Sequence, residues 1–128
     1  MLEILETNDF DRYFPLTARI RGDYHLSELK EGDEVKGFIA YDYHPEEVVI
    51  YAVDAVNRDY NYLDGLVRSV LFKAELKGIE KAVFCEYNST VWERLELLGF
   101  VKNDRKSIEN ISEFMENCKK CKENPANT

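Results

Sequence analysis

Two strand-helix units in series constrain this chain more than any other feature. Residues 81–86 are apolar like a buried strand, and residues 88–99 carry a helical period that a glycine closes. The preceding unit has a strand-like run at residues 48–56 and a helical period over residues 63–78, again closed by glycine. Strands joined through a crossover helix run parallel, so helix N-termini should lie at their carboxyl ends. Phosphates and cofactors bind at such places.

A hairpin precedes these two units. Residues 35–43 and 48–56 are rich in β-branched and aromatic side chains. The segment His44–Glu47 between them contains Pro45, which cannot donate to a strand ladder. Two strands joined by such a short polar turn pair antiparallel. Together with the parallel units, the hairpin predicts an α+β fold, a single domain whose mixed central sheet is flanked by helices.

The predicted helices have identifiable faces and ends. The first, over residues 63–77, has Asp64 in its first turn and Gly78 after its last. Asn88 is the predicted cap of the second helix, and Thr90 with Glu93 would form an alternative capping box one turn later. The first helix buries one apolar face, made of Leu63, Leu66, Val67, Val70, Leu71 and Ala74.

The two ends of the chain carry weaker signals. Residues 2–6 alternate like a strand, while residues 8–21 leave a short helix limited by Pro15 as one possibility. Residues 22–33 are predicted to be loop or turn, with the reversal at 31–33. Near the C-terminus we expect a short edge strand or loop at 102–106, a last helix at 111–118 and a flexible tail at 119–128, so the domain would span residues 1–118.

Composition excludes several classes of function. The 128 residues fit one domain, and a net charge of −8 makes nucleic acid an unfavourable partner. No apolar run approaches the roughly 20 residues of a membrane span, so we expect no membrane partner. The first residues lack the basic and apolar regions of a signal peptide. We therefore expect a cytoplasmic protein.

Three cysteines do not make a disulfide framework in such a protein. Cys85 lies in an apolar strand and is predicted to be a buried thiol. Cys118 and Cys121 have the spacing of half a zinc site, but only Cys85, His25 and His44 remain to complete four ligands. We expect no metal and interpret the pair as an exposed tail motif in which Cys118 packs on the domain.

The order hairpin, helix, strand, helix and Gly-Phe resembles the GCN5-related N-acetyltransferase (GNAT) superfamily over residues 35–100. The family pattern of the last helix is Asn-x-x-Ala-x-x-x-Tyr-x-x-x-Gly-Phe. In this chain Asn88 stands twelve residues before Phe100, and Val91 replaces the alanine. The resemblance implies a GNAT-like fold that binds acetyl-CoA as co-substrate and acetylates a small amine.

The same resemblance implies where the cofactor binds. Family members hold the pyrophosphate with the amides of an Arg/Gln-x-x-Gly-x-Gly/Ala loop, which corresponds here to residues 62–67. Only Gly65 matches that pattern, since Tyr62 and Val67 replace the arginine or glutamine and the second glycine. Arg58 and Arg68 are possible compensating charges for an acidic residue in this loop. The predicted cofactor-binding residues are Asp64, Gly65, Leu66, Val67, Arg68 and, beside the pantetheine arm, Asn88.

The catalytic group is left open by the sequence. Many family members use the tyrosine of the pattern as general acid, and Leu95 stands at that position. A proton would then have to come from Tyr87, from Cys118, which by analogy approaches the cofactor, or from solvent. Asp42 or Asp54, on the two hairpin strands, is a possible general base, although a solvated sheet face is the favoured explanation of both. The alternative function is a non-catalytic binding or dimerisation module, for which a homodimer is possible.

Overall fold

The structure, a computed structural model, describes residues 2–14, 16–86, 88–102 and 105–116. Within these residues six strands form one mixed sheet whose spatial order is also the chain order. Only β4 and β5 pair in parallel, and every other neighbouring pair is antiparallel. The strands are β1 (Leu2–Thr7), β2 (His25–Glu31), β3 (Glu34–Tyr43), β4 (Glu47–Ala55), β5 (Lys81–Phe84) and β6 (Ser107–Ile108), and the α-helices are α1 (Tyr60–Leu76) and α2 (Ser89–Leu97).

The predicted hairpin and the two strand-helix units are confirmed, and with them the α+β mixed sheet. The turn between β3 and β4 closes with the amide of His44 donating to the carbonyl of Glu47 at 2.8 Å. Helix α1 begins at Tyr60, three residues before the predicted start at Leu63. The reason is Asp59, whose side chain accepts from the amide of Tyr62 at 3.1 Å and so caps the helix earlier.

Strand β2 contradicts the prediction of loop or turn for residues 22–33. Two polar residues, Ser27 and Glu28, are buried in the middle of this strand and break the expected apolar alternation. Both have partners. Ser27 shares a 2.8 Å hydrogen bond with the hydroxyl of Tyr41, and Glu28 accepts from the hydroxyl of Tyr13. The predicted reversal is correct, with Gly32 at a φ of +62° between β2 and β3.

The sheet is covered on both faces. Helix α1 places its predicted apolar face in one cluster of buried residues with Leu29, Ile39 and Val53. Tyr13 belongs to a second cluster with Leu26, Phe38, Ala40 and Ala52, whose positions along the strands point to the opposite face. A 3-10 turn at Phe10–Tyr13 delivers Tyr13 to this face. The described residues 8–14 and 16–21 contain no α-helix.

The C-terminal part of the sheet is short. Strand β5 ends at Phe84, so Cys85 is exposed and the prediction of a buried thiol was wrong. Lys102 and Arg105 form an isolated bridge before β6, and residues 111–116 are helical. Cys118, Cys121 and the predicted tail lie outside the described residues. Among the residues described, no helix has both the length and the apolar character that a membrane span requires.

Candidate functional site

Strands β4 and β5 part halfway along β4. Cross-strand pairing with β3 shifts between Ala40 and Tyr41, which leaves Tyr51 as an extra residue in β4. A bulge of this kind bends its strand. Only Glu47–Ile50 of β4 pairs with β5, and the last ladder bond runs from the amide of Cys85 to the carbonyl of Ile50 at 2.8 Å. Beyond that bond, the edge of β4 no longer faces a neighbouring strand.

Two side chains span the gap that this parting creates. Nη2 of Arg19 donates to the carbonyl of Tyr51 on one side and to the carbonyl of Cys85, at 3.1 Å, on the other. Farther along, the carboxylate of Glu86 accepts from the amide of Val53 at 2.8 Å and from the amide of Asn88 at 2.9 Å. The two halves of the split are therefore linked by a cation and an anion in place of a strand ladder.

A cleft of about 460 Å³ opens beside the split. That volume is in the range of small-molecule sites, roughly 300–1,000 Å³. Its walls combine apolar surface with one basic and two acidic side chains, so it can bind a ligand that has both an apolar and a polar part. The lining residues are Leu16, Arg19, Phe38, Ala52, Val53, Asp54, Glu86, Asn88 and Ser89.

Asn88 caps helix α2 at the edge of this cleft, as predicted. Its side-chain oxygen accepts from the amides of Thr90 at 3.0 Å and Val91 at 3.1 Å. The alternative cap at Thr90 is excluded because α2 already begins at Ser89. Because β4 and β5 are parallel, the N-termini of α1 and α2 lie at the same edge of the sheet.

Two arginines lie beside the N-terminus of α1. Arg94 on α2 donates from Nη1 to the hydroxyl of Tyr60 at 2.9 Å, and its guanidinium lies 4.7 Å from the centroid of that ring. Nε of Arg58 lies 3.3 Å from the carboxylate of Asp54. Within the described residues, the Nε atoms of both arginines are buried without a hydrogen-bond partner. A helix N-terminus with two adjacent cations favours an anion.

The segment predicted to bind the cofactor, Asp64 to Val67, lies inside α1. An α-helix pairs each amide with the carbonyl four residues earlier, so these amides have partners within the helix. Leu66 and Val67 are buried in the core, and a Cβ at Gly65 would meet no atom within 4 Å. The amides not bonded within the helix are those of its first residues, upstream of the predicted segment.

Arg68 points along the same helix toward aromatic rings. Its Nε donates to both carboxylate oxygens of Asp64, at 2.9 and 3.0 Å. Its guanidinium lies 5.5 Å from the ring centroid of Phe100 and 5.7 Å from that of Phe114. The cofactor-binding role of Asp64 to Arg68, like that of Asn88, stays a prediction.

The candidate catalytic residues are Asp54, Tyr87 and Cys118, and Leu95 stands where the family pattern has its tyrosine. Asp54 lines the cleft, where its carboxylate accepts from the amide of Ala55 at 2.8 Å. Leu95 is fully buried in the core and has no contact with the cleft. Tyr87 and Cys118 lie outside the described residues. Arg19, Glu86 and Arg94 were not predicted at all, because no local spacing in the sequence marks the tertiary contacts that bring them here.

The comparison with solved structures identifies the architecture. No family model matches the sequence, and no curated protein sequence matches it. A GNAT family acetyltransferase from Elizabethkingia anophelis with acetyl-CoA bound aligns with a TM-score of 0.59 at 17% identity, covering 78% of this chain and 74% of that one. The ribosomal-protein-S18-alanine N-acetyltransferase from Escherichia coli aligns with a TM-score of 0.56 at 16% identity, covering 84% and 90%. The chain therefore has a GNAT-like fold.

Proposed function

We propose that this protein binds an acyl-CoA and transfers the acetyl group of acetyl-CoA to a small amine in the cytoplasm. The observation that carries the proposal is the parting of β4 from β5 beside the cleft. An extended ligand can add to an uncovered strand edge through main-chain hydrogen bonds. The pantetheine arm of coenzyme A is an extended chain with two amide groups, so its chemistry fits this edge. The GNAT-like fold and the acetyl-CoA bound to one structural neighbour support the same choice.

The phosphate end of the ligand would bind at the N-terminus of α1. Arg58 and Arg94 supply two positive charges there, and in the described part of the chain neither buried Nε has a hydrogen-bond partner. The competing position is the segment predicted from the sequence, Asp64 to Val67, with Arg68 as its cation. Arg68 donates to both carboxylate oxygens of Asp64, whereas Arg58 approaches one oxygen of Asp54 at 3.3 Å without a hydrogen bond, so we favour the two arginines at the helix start.

The acceptor end of the cleft suits an amine. The lining contains two carboxylates, Asp54 and Glu86, and one cation, Arg19. The resulting excess of negative charge attracts an ammonium group. An ammonium must lose a proton before its nitrogen can attack a thioester, and in this proposal Asp54, which lines the cleft, accepts that proton. Asn88 lies on the same wall, where the proposal puts the pantetheine arm.

The first test measures binding. Acetyl-CoA is titrated to millimolar concentration while the melting temperature of the protein is recorded. Ligand at 100 times its Kd should stabilise the fold by about 2.7 kcal/mol. Arg94→Ala and Arg58→Ala should weaken the shift, whereas Arg68→Ala should weaken it only if the sequence-predicted position is correct. Arg105→Ala removes an exposed cation outside the cleft and is the matched control. The absence of any shift in the unmodified protein would reject the proposal.

A non-catalytic module is the second candidate, favoured by the position of Leu95. A leucine buried in the core cannot donate a proton where the family pattern has tyrosine. Release of free thiol from acetyl-CoA with a panel of amines separates the two candidates, because binding without release supports the module. The variants Asp54→Asn, Tyr87→Phe and Cys118→Ser then test the predicted base and the two predicted proton donors. Sedimentation of the same samples tests for the homodimer.

A further inference from the structure

We propose that Glu86 competes with the acyl-CoA ligand for the amide of Val53 and thereby limits the affinity of the cleft. This inference rests on the proposed function. Glu86 has no counterpart among the residues predicted from the sequence. The inference follows from the hydrogen bonds that the Glu86 carboxylate accepts at the split between β4 and β5.

The carboxylate of Glu86 stands at the position of a ligand carbonyl. The amide of Val53 faces the gap between the two strands, and Glu86 accepts its hydrogen bond at 2.8 Å. The neighbouring edge amide on β4, that of Ala55, donates to the carboxylate of Asp54 at 2.8 Å. Both edge amides on this part of β4 are thus bonded to carboxylates. An extended ligand that adds to the edge needs at least one of them.

The hydrogen bond from the Val53 amide to Glu86 is expected to be stronger than the bond that a ligand carbonyl would form with the same amide. A charged acceptor forms a shorter and stronger hydrogen bond than a neutral amide or thioester carbonyl does. The ligand must therefore exchange its weaker acceptor for the carboxylate, and the difference lowers its affinity. The second oxygen of Glu86 accepts from the amide of Asn88 at 2.9 Å. That bond belongs to the chain segment next to Glu86, so the carboxylate can keep it while releasing Val53.

Arg19 lies at the closed end of the same gap, where β4 and β5 begin to part. Its guanidinium bonds to Tyr51 and Cys85, where the strand ladder ends, so the amide of Val53 is the first β4 donor beyond this cation. A ligand entering along the strand edge would meet Glu86 before it reached Arg19. The structure therefore assigns to Glu86 the control of access to this edge.

The experiment measures the Kd of coenzyme A and of acetyl-CoA by calorimetry for three proteins. Glu86→Ala should bind both ligands about tenfold more tightly than the unmodified protein, because a hydrogen bond to a charged group no longer has to be broken. Glu86→Gln should fall between the two, since its side chain still offers a neutral acceptor. Glu93→Ala removes an exposed carboxylate from α2 and measures the general effect of one fewer negative charge on an anionic ligand.

Equal gains in Glu86→Ala and Glu93→Ala would overturn the inference while leaving acyl-CoA binding intact. Failure of all proteins to bind at millimolar ligand would overturn the proposed function and the inference with it. Amide NMR provides a readout that needs no ligand. The Val53 amide proton should resonate at a different position in the unmodified protein and in Glu86→Ala, because the variant lacks the hydrogen bond to the carboxylate. A Val53 amide indifferent to that substitution would also refute the competition.

Discussion

Replacing Tyr13 by phenylalanine should measurably loosen the N-terminal segment from the sheet. Tyr13 donates its hydroxyl to Glu28, a carboxylate that is only 3% exposed. The ring itself stacks on Phe38 with centroids 4.3 Å apart, and phenylalanine preserves this contact. The substitution therefore removes one hydrogen bond and nothing else. The carboxylate keeps Arg12 at 3.6 Å, but that arginine is half exposed.

The expected cost follows from these contacts. A hydrogen bond to a charged group contributes about 1.5–3 kcal/mol, and the remaining ion pair with a half-exposed arginine replaces little of it. For a domain whose stability is about 5–15 kcal/mol, this is a large fraction. Urea denaturation followed by circular dichroism measures it directly. The unfolding slope should be unchanged, since the same surface is exposed on unfolding.

Tyr43→Phe is the matched control. The hydroxyl of Tyr43 is buried and has no hydrogen-bond partner within the described residues, so its loss should cost nothing or stabilise the fold slightly. A double-mutant cycle of Tyr13→Phe with Glu28→Gln should give a coupling energy above about 1 kcal/mol. If Tyr13→Phe costs no more than Tyr43→Phe, the hydroxyl does not anchor the segment and the reasoning fails.

The same tyrosine predicts a pH dependence. Burial, and then the hydrogen bond to Glu28, raise the pKa of Tyr13 far above its usual value of about 10. The folded state thus keeps the proton after the unfolded chain has lost it. Stability should be unaffected by this group below pH 10 and should fall as the pH rises above it, by up to about 1.4 kcal/mol per pH unit. Tyr13→Phe should show a shallower decline, and an equal decline would contradict the assignment.

Three further predictions follow from single positions. Gly37→Ala should destabilise the fold by about 1–3 kcal/mol in urea denaturation, because the added Cβ would lie 2.8 Å from the carbonyl of Asp54; an unchanged midpoint would refute this. Asn88→Ala should cost about 1 kcal/mol through loss of the α2 cap, whereas Asn88→Asp should retain most of that stability. Cys85 should react with a thiol reagent without denaturant in a variant lacking the two C-terminal cysteines. Although Cys85 is exposed as a residue, partial burial raises the pKa of its thiol, with Arg19 opposing, so the rate should increase as the pH rises past 9.

The parts of the fold that could be predicted are those that local chemistry determines. Asn88 caps a helix because its short side chain reaches the amides two and three residues ahead, and Gly99 ends the same helix at a φ of +90°. Such signals lie within one turn of chain. Strand β2 could not be predicted in this way. Ser27 and Glu28 are buried with hydrogen-bond partners from distant segments, and no local sequence pattern indicates such partners.

The candidate site shows the same division more sharply. The bulge at Tyr51 leaves no mark in the sequence, since the strand residues on both sides of it are equally apolar. Arg94 reaches the start of α1 from a different helix, and Arg19 reaches the strand split from the N-terminal segment. The positions of these two side chains depend on how helices, strands and loops that are distant in sequence pack against one another. The resemblance pointed to the sheet edge at which the cleft lies, and the side chains along that edge required the structure.

The chain order of the sheet has a consequence for how the domain moves. Strands β1 to β4 are antiparallel neighbours in chain order, and each pair is held by a ladder of six or more residue pairs, whereas β5 is joined to β4 by four. Apart from the two-residue ladder that joins β6 at the sheet edge, the seam between β4 and β5 is therefore where the described sheet opens with the least loss of pairing. Amide hydrogen exchange should be fastest along this seam among the ladders that cross the middle of the sheet. Because the cleft lies on the same seam, we expect a ligand bound there to hold together the shortest of the ladders that cross the middle of the sheet.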